Sequence, residues 1–117
     1  MFSKFRVWDE LKQEYIAENL YIGSNGDLYK LEYGEMLDIT CPYLIVENMV
    51  GFKRDKNGQY VFEGDLIRFK DDNRIAEVYY SEELGAWFCK FEDRYVCPLL
   101  NAKEEFTIIG NKHKGEK

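Results

Sequence analysis

Residues 55–70, Asp55-Lys56-Asn57-Gly58-Gln59-Tyr60-Val61-Phe62-Glu63-Gly64-Asp65-Leu66-Ile67-Arg68-Phe69-Lys70, decide the fold class. The Asp55 to Gly58 stretch makes a turn, and Glu63-Gly64-Asp65 makes a second one almost at once, because Gly enters backbone conformations that other residues avoid and Asp can bond a nearby backbone N–H. Turns this close leave room only for short strands, Tyr60 to Phe62 and Leu66 to Lys70. Asp71-Asp72-Asn73 breaks the second strand. The same rhythm continues with strands at 74–80, 86–91, 94–98 and 105–110, separated by Ser81 to Gly85 and by Glu92-Asp93. Such a series predicts a small curled antiparallel sheet over 51–110, closed as an SH3-like barrel that leaves few exposed edges.

The N-terminal part reads less uniformly. Lys4 to Val7 alternates apolar and polar residues, the period of a half-buried strand. Residues 9–18 fit either a strand or a short helix, since Leu11, Tyr15 and Ile16 have helical spacing among good helix formers. Leu20 to Gly23 and Asp27 to Tyr33 flank Ser24-Asn25-Gly26, a hairpin signal because Asn25 and Gly26 tolerate positive φ. Residues 34–40 have neither period and read as irregular chain or a short helical turn. Tyr43 to Val50 reads as a strand buried on both faces, with Leu44, Ile45 and Val46 consecutive. The expectation is a mainly β fold, or α+β if the short helix forms. It is a single β-rich domain, 1–110, made of an N-terminal extension, 1–50, and a barrel-like part, 51–110.

Composition agrees with one globular domain. The chain has 117 residues, 45% hydrophobic and 16% aromatic, with nine Tyr and eight Phe. That length can bury a core, and aromatic residues favour pleated, half-buried surfaces. The net charge is −6. Three lysines against one glutamate in residues 111–117 leave a hydrophilic tail at +2 and the first 110 residues at −8. The tail is expected to be dispensable for folding. An acidic body repels phosphate backbones, which disfavours non-specific nucleic-acid binding without excluding a local basic patch. No run approaches the roughly 18 apolar residues of a membrane span, and the charged first 24 residues hold no signal-peptide core. The cytoplasm is the expected compartment.

Three short motifs carry a family resemblance. Lys4-Phe5-Arg6-Val7-Trp8-Asp9, the run from Lys56 to Ile67, and Ile109-Gly110-Asn111 occur in an order and spacing that resemble the YopX family. That family comprises small proteins encoded by bacteriophages and prophages, and it brings no catalytic residues with it. The resemblance implies phage origin, hence a host-cell cytoplasm, and a β-rich fold with an SH3-like portion. The approach to the Asn57 turn, Gly51 to Asp55, is one residue longer than the family pattern.

Candidate chemistry is sparse. Asn25, Gly26, Asn57, Gly58, Gly64 and Asp65 read as turn residues. A cation at Glu63 and Asp65 would need several further oxygens, and no EF-hand-like series supplies them. Cys41, Cys89 and Cys97 include no CxxC pair; Cys89 and Cys97 would face each other across a hairpin looping at 92–94. A zinc site would need His113, the only histidine, as fourth ligand, so neither metal nor cofactor is expected. No nucleophile, carboxylate pair or phosphate loop stands out, and an enzyme with carboxylate chemistry is the weakest class. Lys53, Arg54, Lys56, Arg68 and Arg74, with Tyr60 and Trp87, are the candidate binding residues. Basic groups among aromatics suit a recognition surface or a nucleic-acid groove, whereas charge along an edge also discourages aggregation. The aromatic excess suits self-association or a partner. The favoured reading is a phage-type accessory protein that binds a host or phage protein, and a nucleic-acid-binding module using residues 53–74 is the alternative.

Overall fold

The computed structural model describes residues 5–16, 19–99 and 105–116, in which the elements are all strands. It forms two compact units, one over residues 6–46 and one built mainly on residues from 47 onward. The fold is mainly β and antiparallel, with curled sheets of half-barrel character.

In the first unit, β1 (Phe5–Asp9) and β2 (Glu14–Ile16) form a hairpin that sets Trp8 opposite Tyr15. Their rings meet edge to face at 4.9 Å, and Arg6 lies 4.4 Å above the Tyr15 ring. The short helix considered for 9–18 does not form over 9–16. Asp9 Oδ1 accepts the N–H groups of Leu11 and Lys12, at 2.9 and 3.1 Å, and closes a turn instead. Leu11 is exposed, so the apolar spacing that suggested a helix never gathers on a buried face. Residues 17 and 18 lie outside the described residues.

A three-stranded meander follows, with β3 (Leu20–Ile22), β4 (Leu28–Glu32) and β5 (Glu35–Asp38) in that spatial order. Asn25-Gly26 turns the first hairpin, but Gly26 alone takes positive φ, +88°. The Gly26 N–H bonds Gly23 O at 2.9 Å, so the connection is a longer turn ending in a left-handed glycine, not a two-residue loop. β5 overturns the irregular reading of 34–40. Tyr33 and Gly34, at φ +51° and +78°, form a tight two-residue turn that lays Glu35–Asp38 against β4.

β6 (Leu44–Arg54) runs on into the second unit. Leu44, Ile45 and Val46 are half-buried, and full burial begins only at Glu47 and Val50. β6 pairs with β7 (Tyr60–Phe62), with a register shift between Val50 and Arg54. β8 (Asp65–Phe69), β9 (Ala76–Ser81), β10 (Ala86–Phe91) and β11 (Val96–Pro98) follow as a meander. β12 (Phe106–Asn111) then returns beside β8, with β13 (Gly115–Glu116) outside it. The core of this unit gathers Val50, Val61, Ile67, Phe69, Val78, Phe91, Leu99 and Phe106. Phe69 packs against Phe106 at 5.8 Å and Phe91 at 6.0 Å. On β8, buried Asp65, Ile67 and Phe69 alternate with half-buried Leu66 and Arg68, the period of two seen in the sequence.

Two buried acids lock the turns of this unit. Asp55 Oδ1 accepts the N–H groups of Asn57 and Gln59, both at 2.9 Å, while Oδ2 accepts that of Ile108 at 3.2 Å. Glu47 Oε2 lies 2.7 Å from His113 Nε2, and both side chains are nearly inaccessible. Residues 111–116 are therefore not a loose tail. Asn111 Oδ1 accepts the N–H groups of His113 and Lys114, and β13 pairs back onto β12. Gly64 completes the lock. It takes φ +88°, and a Cβ there would sit 2.8 Å from Glu47 Oε2.

The expected dispensability of 111–117 thus reverses. Removing His113 leaves a buried carboxylate without its imidazole partner, at a cost of roughly 1–3 kcal/mol. A chain ending at Asn111 is expected to melt at least about 4 °C below the full chain in calorimetry. Gly64→Ala should destabilise as well, through strain at positive φ and the approach to Glu47. An unchanged midpoint for both variants contradicts the lock.

Candidate functional site

The basic candidates separate into distinct settings. Lys56 and Arg68 border one cleft of about 620 Å³ together with Lys70, and Asp71, Asp72 and Glu105 line it too. Lys53, Arg54, Tyr60, Arg74 and Trp87 do not line it. Arg54 lies 4.4 Å above the Tyr60 ring and bonds its hydroxyl. Trp87 meets Tyr80 edge to face at 5.2 Å and packs against the core, so it is partly structural. Lys53 is half-buried.

Arg74 is held from two sides. Its guanidinium bonds Asp72 at 2.9 Å and Asp93 at 3.1 Å while lying 4.2 Å above the Phe91 ring. The Arg74 side chain holds the Asp72 carboxyl below its ordinary value. Asp93 is lowered too, first by the Tyr95 N–H and then by Arg74. Two carboxylates offset one guanidinium, which leaves little charge here for a phosphate.

The cysteines stand as the hairpin spacing suggested, with Cys89 opposite Cys97 across β10 and β11. Both are free thiols, and Cys41 belongs to the other unit. Burial, followed by the neighbouring Cys97, pushes the Cys89 thiol up to about 12. Among the described residues no three His, Cys, Asp or Glu side chains gather to hold a metal. His113, which the sequence left without a partner, is engaged by Glu47. The buried acids Asp9, Asp55 and Asp65 each accept backbone N–H groups at turns, Asp65 from Phe62 at 2.8 Å.

Sequence reasoning missed the surface of the β3–β5 meander. Tyr21, Tyr29 and Asp38 stand opposite one another across the three strands, and Leu31 faces Met36 beside them. Tyr21, Leu31 and Met36 are all exposed. Ile22 and Leu37, on the other face, are exposed as well. Tyr33 at the turn is 97% exposed and holds a left-handed conformation that Gly or Asn adopts more readily. Gly34 between two apolar runs was the available signal; the tyrosine in the preceding turn position concealed it.

The family model described as YopX protein matches residues 4–115. The chain belongs to the YopX family. The X-ray crystal structure of the protein yopX from Bacillus subtilis is similar in fold. The likeness covers 97% of this chain and 94% of that chain, with a TM-score of 0.63 at 20% sequence identity. No curated protein matches. In this YopX-family chain the run from Lys56 to Ile67 forms the Asn57 turn, β7, the Gly64 turn and the start of β8. Ile109-Gly110-Asn111 lies on β12 at a register shift. Two of the motifs that carry the resemblance are thus turn and bulge determinants. Among the described residues no helix is long and apolar enough to cross a membrane.

Two measurements follow from these geometries. In Arg74→Gln, carbon-detected NMR titration should show the Asp72 and Asp93 carboxyls rising toward the ordinary carboxylate value; unchanged titration contradicts the pairing. Under limiting iodoacetamide at pH 8, mass spectrometry should find Cys41 and Cys97 modified before Cys89, and equal labelling of all three would contradict the burial of Cys89.

Proposed function

We propose that this protein is a phage- or prophage-type accessory protein that acts in the host-cell cytoplasm by binding a host or phage protein through the β3–β5 meander. The observation that carries this reading is Tyr33. A bulky residue at positive φ costs stability, and a 97% exposed ring contributes no packing in return. Tyrosine at an exposed tip suits recognition, where a large rigid amphipathic ring supplies contact area at low entropic cost. The exposed Tyr21, Leu31 and Met36 extend the apolar surface beneath it. Charge agrees with a protein partner over a nucleic acid, because residues 6–46 hold Arg6, Lys12 and Lys30 against eight acids, a net −5.

A nucleic-acid reading keeps one supporting feature, the cleft bordered by Lys56, Arg68 and Lys70, but the acids in its lining weaken it. The SH3-like barrel belongs to the proposal too, supported by the successive hairpins β8–β9 and β9–β10 and the return of β12 beside β8. Self-association through the same apolar face is compatible with it.

Tyr33→Asn separates recognition from stability. The substitution should raise stability by about 0.5 kcal/mol or more, since Asn tolerates the left-handed turn. It should also reduce nuclease-resistant capture of a protein partner from infected cells by at least tenfold. Capture that is unaffected by Tyr33→Asn, or that disappears with nuclease treatment, would contradict the reading.

A further inference from the structure

We infer that the outer edge of β5 receives a basic, extended segment of the partner protein as an added strand, a reading that rests on the binding function proposed above. β5 is the last strand of its sheet, and all four of its residues are exposed. The register fixes which backbone groups point outward. Ile39 N bonds Leu28 O, and the pairs Lys30 with Leu37 and Glu32 with Glu35 lie two and four residues along the same ladder. In an antiparallel pair the intervening residues turn their N–H and C=O away from the partner. Met36 and Asp38 therefore offer their backbone groups to the open side.

Side chains define what can pair there. β5 reads Glu35-Met36-Leu37-Asp38, acid, apolar, apolar, acid, so each face of the strand presents one carboxylate and one apolar group. In a second copy laid antiparallel, outward residues stand opposite outward residues, so Asp38 meets only Met36 or another Asp38, and no register within the strand sets either carboxylate against a base. These acids favour a strand that reads base, apolar, apolar, base. The net −5 of residues 6–46 adds long-range attraction for such a segment. Main-chain bonds then supply affinity and the alternating side chains supply selectivity, as in other strand-addition complexes.

The probe is the peptide acetyl-Thr-Lys-Val-Val-Lys-Thr-amide, followed by amide chemical shifts of the full chain. The largest shifts are expected at Met36 and Asp38. Replacing both peptide lysines with glutamate should weaken binding at least tenfold, as should Met36→Pro, which removes an outward N–H and leaves the β4 ladder intact. Should Met36→Pro not fold, Glu35→Lys provides the second variant and should also weaken the basic peptide. Shifts centred elsewhere, binding indifferent to these variants, or concentration-dependent shifts at β5 without peptide would each overturn the inference. If the peptide does not bind while Tyr33-dependent capture persists, the strand-addition inference fails and the binding function stands. Loss of both overturns the two together.

Discussion

A carboxylate buried in a small β protein is tolerated only when N–H groups or a base surround it, and that constraint organises this chain. Asp9, Glu47, Asp55 and Asp65 are its buried charged residues among those described; Asp9, Asp55 and Asp65 sit at or beside a change of chain direction, and Glu47 lies within β6. Asp55 joins a local turn to a distant strand. One carboxylate closes the β6–β7 turn and also holds Ile108, 53 residues later, so the return of β12 depends on it. Glu47 does the same for the end of the chain through His113, with Gly64 leaving the space the pair needs.

Acids used inside as turn anchors cannot serve catalysis or metal binding without unmaking the turns. Net negative charge concentrates in residues 6–46, where eight acids face three bases, in the same stretch as the exposed aromatic and aliphatic groups of the β3–β5 meander. Tyr33 is one of four non-glycine residues at positive φ among those described, with Gln13, Asp71 and Arg94, and it is the aromatic one, its ring almost fully exposed.

The strands of residues 51–110 were legible because Gly58 and Gly64 punctuate them and Val61, Ile67 and Phe69 alternate inward. The N-terminal elements were harder for physical reasons. Leu11, Tyr15 and Ile16 mimic helical spacing, yet the Asp9 side chain captures the following N–H groups and turns the chain. β5 was hidden because its turn uses tyrosine where Asn or Gly is usual, and because Met36 and Leu37 are adjacent, not alternating. His113 looked solvated from its charged neighbours, and nothing local in the sequence reports a partner 66 residues away. The basic candidates were found as residue types but not as a site, since Arg54 and Arg74 are engaged by Tyr60 and by two aspartates.

Hydrogen exchange of the chain alone and of the chain bound to its captured partner tests the central claim most directly. The account predicts new protection confined to the meander, strongest at the amides of residues 33–38. Protection centred on the cleft of Lys56, Arg68 and Lys70, with the meander unchanged, would contradict it.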